Sequence, residues 1–464
     1  MYSHDQDLAG WIIKDVVVNH HLRLIGQETS SQGVFVGPLF YYMQIPFYFM
    51  AHMDPAGSIV LVTLLGLFTI FSFYYCFAKM FGRKVGIFAA LFYTASVYFI
   101  FTDREIVPTT PVHLWTVWWL YGTWLILKGK SKAYILLGFL AGILWNFNLA
   151  LVIVTPLVLL AQVFSKTKIN FKYLFLGVAI FLVTMSPFFV FEARHSFMQT
   201  RAIVASLTTS KGVASAGGKA VKLVRVMQLV YKNTSSLYWG PNSPIAQSWT
   251  FYIMLGLFIF LAIKKIISKQ FFLILFLWQV LYITFFTLNS IAVSEYYLNS
   301  MNVVWVVILA LMTNYLWENR QVYLKMLAYL ILVVFIGANI YNFFTRSINK
   351  SGYIERKAVV AYIKADAQKR GFICVSVSYI TSPGNNFGYR YLFWLQNMHV
   401  DLPLGGAPVY SIVYPISLVD KVDKSFGALA LIMPDYSKYT KEGIAKSCAG
   451  ENQNVTGSMF GYTQ

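Results

Sequence analysis

Charged residues are scarce in this sequence of 464 residues: they make up 12% of it, whereas hydrophobic residues make up 58%. An ordinary soluble domain carries about twice that share of charge. So few charges leave too little polar surface to cover a large soluble core, which excludes a soluble enzyme, a disordered chain and a coiled coil. The composition therefore predicts a polytopic membrane protein.

Cysteine and acidic residues are also few. Of the three cysteines, Cys76 lies in an apolar run, whereas Cys374 and Cys448 lie in the polar tail and can form a disulfide if that tail is exported. The 37 basic residues outnumber the 18 acidic ones. In a membrane protein this excess reflects Lys and Arg in cytoplasmic loops, so we expect no nucleic-acid partner.

Apolar runs of about membrane length predict the spans. The run at 133–164 has 32 residues and would be about 48 Å long as a helix, too long for one span. Asn146, Asn148 and Pro156 interrupt it, so we predict two short helices there and ten spans in all. The runs lie at 57–78, 85–101, 108–127, 133–164, 173–191, 249–263, 271–291, 300–317 and 326–345.

The distribution of charge predicts which side each loop faces. The five loops assigned to the inside hold 14 Lys/Arg and one acid, whereas the opposite short segments, 1–56, 101–107 and 291–299, hold three Lys/Arg and eight acids. Segment 38–53 is predicted to be interfacial or re-entrant. Because the chain opens directly on an acidic outer segment, we also expect that a first transmembrane helix is missing from this sequence.

Two domains are predicted. Residues 1–345 form an all-α transmembrane bundle with outer loops at 1–56 and 192–248. Residues 346–464 form a small α/β extracytoplasmic domain, because an amphipathic stretch (SGYIERKAVVAYIKADAQKRG) alternates with short strands (FICVSVSYI and ALALIMP). No Asp, Glu, Lys or Arg lies within the apolar runs, which argues against ion-coupled transport.

The acids gather in outer loops next to helix ends, a pattern typical of chemistry at the outer face of a membrane. Asp5 in the first outer segment, and Asp103 with Glu105 in a later loop, can converge to bind a divalent cation or to supply a base. The alternative is that each is a solvated loop acid or a helix cap. Asp7 and Asp15 are predicted to be helix-surface acids.

A basic group follows a later span, in Phe191-Glu192-Ala193-Arg194-His195-Ser196-Phe197 and Arg201. Arg194 and Arg201 are seven residues apart and share a face if the segment is helical. Arginine binds phosphate through two parallel hydrogen bonds. The alternative is that both side chains anchor the chain to anionic lipid headgroups.

Together these motifs resemble the GT-C superfamily of membrane glycosyltransferases. They are the HDQD opening, the GxxxGPLFYY stretch at 33–42, the Asp103-Arg104-Glu105 loop and the F-E-x-R-H-x-F stretch. The resemblance covers about residues 1–345 and is closest to the family 39 group, which is similar to protein O-mannosyltransferases and lipid A aminoarabinose transferases. It implies a helical bundle with its site at the outer face, hexosyltransferase activity and a sugar donor on a polyprenyl phosphate.

The resemblance also implies roles for residues. Asp5 would act on the acceptor hydroxyl in one inverting displacement, with Gln6 where relatives often carry Glu. Asp103 and Glu105 match the second acidic motif and would hold a divalent cation if one is used. The donor phosphate would be bound by Arg104, Arg194, His195 and Arg201. The acceptor would be a lipid, glycan or protein, at the extracytoplasmic side of what we expect to be the plasma membrane.

Two rival interpretations remain open. One is a lipid-linked glycan ligase or flippase, which would have similar spans and outer charges. The other is a non-catalytic membrane scaffold whose outer domain binds a partner. A scaffold predicts that Asp5, Asp103 and Glu105 lie far apart, whereas a transferase needs their carboxylates around one cavity.

Overall fold

A computed structural model describes residues 2–208, 218–240 and 247–461 as two compact units. We call one the tail unit, formed by Met1–Gln27, Tyr41–Ser58 and Ser347–Gln464, and the other the helical unit, formed by Glu28–Phe40 and Ile59–Arg346. Residues 1–27 and 41–58 are thus grouped with the C-terminal tail. The predicted domain boundary between residues 345 and 346 stays a prediction.

The described chain is mostly helical. Its α-helices, in chain order, are α1 His4–Val17, α2 Leu39–Met50, α3 Ser58–Phe81, α4 Arg83–Ala95, α5 Val97–Thr102, α6 Val112–Leu127, α7 Ala133–Ile143, α8 Leu157–Ser165, α9 Phe171–Thr184, α10 Ser186–Arg194, α11 Met198–Thr208, α12 Gly218–Trp239, α13 Gln247–Ile263, α14 Lys269–Leu288, α15 Asn299–Glu318, α16 Val322–Thr345, α17 Tyr353–Lys369, α18 Arg390–Leu395 and α19 Lys441–Cys448.

Four helical segments among the described residues are long and apolar enough to cross a membrane: Pro55–Phe81, Lys269–Leu288, Glu295–Glu318 and Val322–Thr345. A fifth is added if α9 and α10, which are bent by 53° relative to each other, count as one span. Shorter apolar helices lie at Ala133–Asn146, Leu149–Ser165 and Gln247–Ile263. The membrane-helix character is confirmed, and the total of ten spans stays a prediction.

Two of the apolar runs bend in ways that reflect their local sequence. The run at 133–164 forms two helices, as predicted, because α7 ends at Ile143 and α8 begins only after Pro156. The run at 173–191, predicted as one helix, is broken at Met185, and Pro187 occupies the first turn of α10. Proline in a first turn is well tolerated, because its missing N–H has no intrahelical partner there.

The break between α4 and α5 depends on a distant side chain. Asn339 Oδ1 accepts a hydrogen bond from the Val97 backbone N–H at 2.8 Å, and Asn339 Nδ2 donates to Tyr238 O at 2.9 Å. Ser96 Oγ donates to Leu237 O at 2.7 Å. These bonds satisfy the Val97 N–H at the break and two carbonyls in the last turn of α12, inside the bundle, where an unpaired group would be costly.

The core of the helical unit is built around α15, in which every residue from Asn299 to Thr313 is buried. Its neighbours are α4, α6, α13 and α16. A helix that is apolar on all sides is suited to such a central position. By contrast, α16 exposes many large apolar side chains, including Tyr341 and Phe344, as expected of a helix that faces lipid.

The tail unit contains a five-stranded sheet. Its strands are β1 Val375–Thr381, β2 Val400–Asp401, β3 Val409–Tyr414, β4 Lys424–Phe426 and β5 Leu429–Ile432, in the order β2-β1-β3-β5-β4. β1 pairs in parallel with β2 and β3, whereas β5 pairs antiparallel with β3 and β4. The predicted helix and both predicted strands are confirmed as α17, β1 and β5.

The core of the tail unit lies between α17 and the sheet. Val359, Val360 and Ile363 of α17 are fully buried together with Ile412 and Leu431 of the strands. A disulfide joins Cys374, next to β1, to Cys448 at the end of α19. The pairing that the sequence left open is therefore present.

Candidate active site

Asp5 lies in the first turn of α1, in the tail unit, and is partly exposed. Its Oδ1 accepts a hydrogen bond from Gln27 Nε2 at 2.9 Å. The Gln6 side chain is used differently, because its Oε1 accepts from the Ser3 backbone N–H at 2.8 Å and from Ser3 Oγ at 3.1 Å. Gln6 thus caps the start of the helix, while Asp5 keeps an accessible carboxylate.

Asp7 and Asp15, predicted to be helix-surface acids, are instead buried, at 4% and 5% exposure. The Asp7 carboxylate accepts a hydrogen bond from the Tyr391 backbone N–H at 3.0 Å. Burial raises the pKa of Asp7 to about 7, although that bond and the positive charges of Arg390 and Arg356 oppose the rise. The prediction was wrong because the residues that cover Asp7 and Asp15, such as Tyr391 and Phe460, come from the C-terminal tail.

The second acidic motif begins with Asp103, which ends α5 in the helical unit and is 7% exposed. Its Oδ1 lies 2.6 Å from His113 Nδ1 and accepts from Thr102 Oγ1 at 3.2 Å. Its Oδ2 accepts from the Tyr93 hydroxyl. Asp103 is therefore held by three side chains from α4, α5 and α6. The pairing of Asp103 with His113 was not predicted from the sequence.

Arg104 and Glu105 follow Asp103 in the loop, and both are exposed. The Glu105 carbonyl accepts a hydrogen bond from Thr110 Oγ1, which closes the loop back on itself. Among the described residues, no group of three or more His, Cys, Asp or Glu is arranged to hold a metal ion. Both oxygens of Asp103 are also occupied, so Asp103 and Glu105 fit a shared cation poorly, and the cation stays a prediction.

Glu192 organises the basic group that follows α10. Its side chain is 2% exposed, and its two oxygens accept from the Gln199 and Thr200 backbone N–H groups at 3.0 and 2.9 Å. It thus caps the N-terminus of α11, where a negative charge is favourable. His195 Nδ1 lies 2.8 Å from the Phe191 carbonyl, and its ring stacks on Phe191.

The condition under which Arg194 and Arg201 would share one helical face, a single helix through both, is not met. Arg194 ends α10 and Arg201 lies within α11, and Ser196 and Phe197 between them adopt φ values of 52° and 57°. The two helices therefore change direction between the two arginines. Both side chains, and that of Arg104, are exposed, and none of the three forms an ion pair with any residue in the described ranges.

The glycine-proline motif at 37–38 fits the start of α2 closely against the break after α7. The Gly37 N–H donates to Trp145 O at 3.2 Å, and Asn146 Oδ1 accepts from the Leu39 N–H at 3.1 Å. A Cβ atom on Gly37 would overlap with the side chains of Asn146 and Trp145. Nearby, Gln199 Oε1 accepts from the Phe35 N–H at 2.7 Å, which ties this loop to α11.

The predicted site residues fall in both units. Asp5 belongs to the tail unit, whereas Asp103, Glu105, Arg104, Arg194, His195 and Arg201 belong to the helical unit. The structure brings Asp103 together with His113, and His195 together with Phe191, neither of which was predicted. The prediction that Asp5 and the Asp103 loop meet in one cavity stays a prediction.

A protein family model matches part of the chain. Residues 36–191 match the family model described as dolichyl-phosphate-mannose-protein mannosyltransferase. The match includes Asp103 and Glu105 but not Asp5 or the two arginines after α10. No curated protein sequence matches the chain significantly.

Solved structures share the fold of the chain. The structure of ArnT from Cupriavidus metallidurans bound to undecaprenyl phosphate aligns over 95% of both chains, with a TM-score of 0.59 and 10% identity, and the same protein in the apo state aligns equally well. An oligosaccharyltransferase from Archaeoglobus fulgidus covers 89% of this chain and 64% of its own, with a TM-score of 0.46 and 11% identity. The family match confirms the resemblance to GT-C membrane glycosyltransferases over residues 36–191, and the ArnT structures confirm the fold.

Proposed function

We propose that this chain, which resembles the GT-C glycosyltransferases and has the fold of ArnT, transfers one sugar from a polyprenyl-phosphate carrier to an acceptor hydroxyl. The observation that carries the proposal is the fold, which matches ArnT over 95% of both chains. The independent family match over residues 36–191 supports it. The ArnT structure contains undecaprenyl phosphate, which supports a lipid-linked donor here.

Asp5 is the proposed general base. Its carboxylate removes the proton of the acceptor hydroxyl, and the oxygen attacks the anomeric carbon of the donor sugar. The bond from that carbon to the phosphate oxygen breaks, its electron pair leaves with the lipid phosphate, and the configuration at the carbon inverts. Partial exposure supports this role, since the carboxylate is accessible and its Gln27 hydrogen bond fixes its orientation.

The lipid phosphate gains negative charge as it leaves, so a cationic group should stabilise it. Arg104, Arg194 and Arg201 are suitable because their exposed guanidinium groups are not committed to acids in the described part of the chain. His195 would contribute less, since its Nδ1 is turned to a backbone carbonyl. Anchoring of Arg194 and Arg201 to lipid headgroups remains the alternative.

Asp103 is proposed to position the loop that carries Arg104 and Glu105. Its side chain is buried and bonded to His113, Thr102 and Tyr93, so it holds the loop at the end of α5. Glu105, which is exposed, is then the acid of this motif that can reach a substrate. The proposed reaction uses no cation, because both carboxylate oxygens of Asp103 already accept hydrogen bonds.

The tail unit is proposed to lie on the extracytoplasmic side, with the acceptor. Its disulfide between Cys374 and Cys448 supports this location, because disulfides persist in oxidising compartments and are rare in the cytosol. The arrangement of basic loops in the sequence favours the same side for residues 1–56. The plasma membrane is the proposed location of the whole chain.

The test is release of free lipid phosphate. Membranes that contain the chain would be incubated with a panel of undecaprenyl- and dolichyl-phosphate sugars, each carrying one sugar, and with preassembled lipid-linked glycans. Release that depends on the chain and on a single-sugar donor supports the transferase. Release from preassembled glycans alone would show that the chain is a ligase and contradict the transferase. No release from any donor would also contradict the proposal.

A further inference from the structure

An open cavity of about 500 Å3 lies beside the second half of α1, and every residue that lines it belongs to the tail unit. Its walls include Trp11, Lys14, Asp15, His21 and Phe460. A volume of this size suits a small ligand, since such sites typically measure about 300–1,000 Å3. None of these residues takes part in the chemistry proposed for Asp5.

The sequence of α1 brings an aromatic ring and a cation to one face. Trp11, Lys14 and Asp15 are spaced at i, i+3 and i+4, which places them side by side on a helix. Lys14 Nζ lies 5.6 Å from the centre of the Trp11 ring and 5.9 Å from that of Trp394. Lys14 forms no ion pair with a residue in the described ranges, so its ammonium group can donate to a ligand.

The polar base of the cavity is fixed by a buried ion pair. Asp15 accepts from Arg23 Nη1 at 3.1 Å and from Asn19 Nδ2 at 2.9 Å, and lies 3.3 Å from His21 Nδ1. The Arg23 side chain is fully buried and donates through Nη2 to Phe460 O at 2.7 Å. Its guanidinium carbon lies 4.1 Å from the centre of the Phe460 ring.

This arrangement neutralises Asp15 and leaves Lys14 as a donor beside Trp11 and Phe460. A sugar ring has the matching chemistry, because its C–H groups form an apolar face that packs on an aromatic side chain and its rim carries hydroxyl groups. A bare phosphate matches less well, because Arg23, which adjoins the cavity, is committed to Asp15 and to a backbone carbonyl.

The position of the cavity relates it to the proposed base. Asp5 lies on the same helix, six to ten residues before Trp11 and Asp15, which corresponds to about 9–15 Å along the axis. A di- or trisaccharide spans such a distance. We propose that the cavity binds a sugar unit of a glycan acceptor, one or two units away from the hydroxyl that attacks the donor. The assignment to the acceptor rests on the proposed function.

The direct test is glycan binding to the full-length chain, purified in nanodiscs, without any donor. The probes are linear tetrasaccharides of glucose, mannose, N-acetylglucosamine and galacturonic acid, followed by saturation-transfer NMR and by calorimetry. The variant is Lys14→Met, and the matched control is Lys369→Met, an exposed lysine of α17 in the same unit that does not line the cavity.

We expect at least one probe to bind the unchanged chain and Lys369→Met equally. Lys14→Met should bind it about tenfold more weakly, the loss expected for a hydrogen bond from a charged donor. Failure of every probe to bind, or equal binding by Lys14→Met and Lys369→Met, would overturn the proposal.

Two further measurements separate this proposal from the proposed function. Asp5→Asn should lose transfer but still bind the probe, because the residues that line the cavity are unchanged. In the transfer assay, Lys14→Met should raise the KM for a glycan acceptor and leave kcat unchanged. Probe binding without cleavage of any donor would refute the transferase alone, whereas transfer with an unchanged acceptor KM in Lys14→Met would refute the acceptor cavity alone.

Discussion

The Asp7 carboxyl group is buried in the tail unit, and burial raises its pKa from 3.8 to about 7. The folded chain therefore holds this proton more tightly than the unfolded chain does. Between those two pKa values, a rise in pH favours the unfolded state, at a cost of up to about 4 kcal/mol above pH 7. This is the opposite of the usual behaviour of a paired aspartate.

For Asp7→Asn we expect a flatter dependence of stability on pH. The apparent melting temperature of the unchanged chain should fall as the pH rises from about 4 to about 7, because the buried carboxyl must ionise. The asparagine oxygen can still accept from the Tyr391 N–H but does not titrate. Scanning fluorimetry of both proteins at several pH values measures this, and parallel pH profiles would show that Asp7 does not contribute.

Asp103 is expected to stabilise the chain, in contrast to its neighbour Glu105. Asp103→Asn disturbs a buried acceptor of three side chains, so we expect a loss of about 1–3 kcal/mol in the free energy of unfolding. Glu105→Gln changes an exposed side chain and should lower stability less than Asp103→Asn does. Thermal unfolding of both variants in nanodiscs provides the measurement. Equal melting temperatures for the two variants would contradict the anchoring role of Asp103.

At the scale of elements, the fit of α2 against the break after α7 depends on the absence of a side chain at Gly37. Gly37→Ala should lower the yield of folded protein sharply, because its Cβ would overlap with Asn146 and Trp145. The matched control is Gly66→Ala in α3, where nothing lies within 4 Å of the added atom. Size-exclusion profiles after membrane extraction compare the two, and a normal profile for Gly37→Ala would contradict the close approach.

The helices themselves were predictable from the sequence, because apolar runs of this length are typical of membrane-spanning helices. Their breaks were predictable where the signal is local, as at Asn146, Asn148 and Pro156. The break at Ser96 was not, because the group that accepts the Val97 N–H belongs to Asn339, far along the chain. The same reason explains the burial of Asp7 and Asp15, since Tyr391 and Phe460 cover α1 from the C-terminal tail.

The residues of the candidate site were predictable from the sequence, but their long-range contacts were not. Asp5, Asp103 and Glu105 stand out because acids are rare in the sequence and lie next to helix ends. The roles of Gln6 and Glu192 as helix caps follow from local spacing and could have been recognised by the capping pattern. The pairing of Asp103 with His113 needed the packing of α5 against α6, which no sequence pattern specifies.

At the scale of the whole molecule, the disulfide constrains the tail unit. Cys374 and Cys448 are 74 residues apart, and closing a loop of that length stabilises the folded chain by about 4 kcal/mol in the chain-entropy account. Replacing both with alanine should therefore lower the melting temperature of the tail unit clearly. The matched control is Cys76→Ala, which removes a free, buried cysteine of α3 and breaks no disulfide.

The state of the cysteines can be measured by alkylation of the unfolded protein followed by mass spectrometry. We expect one modified cysteine without reductant and three after reduction. Three modified cysteines without reductant, in protein made by membrane export, would contradict both the disulfide and the proposed extracytoplasmic location.

The proposed function depends most directly on Asp5. The decisive measurement is the rate of lipid phosphate release from the active single-sugar donor, with saturating acceptor, for Asp5→Asn and for Asp420→Asn, an exposed aspartate of the tail unit. Loss of a general base should lower the rate of Asp5→Asn by about 10²–10⁴-fold, while Asp420→Asn keeps the rate of the unchanged chain. An unchanged rate in Asp5→Asn, in protein that is correctly folded, would remove Asp5 from the mechanism.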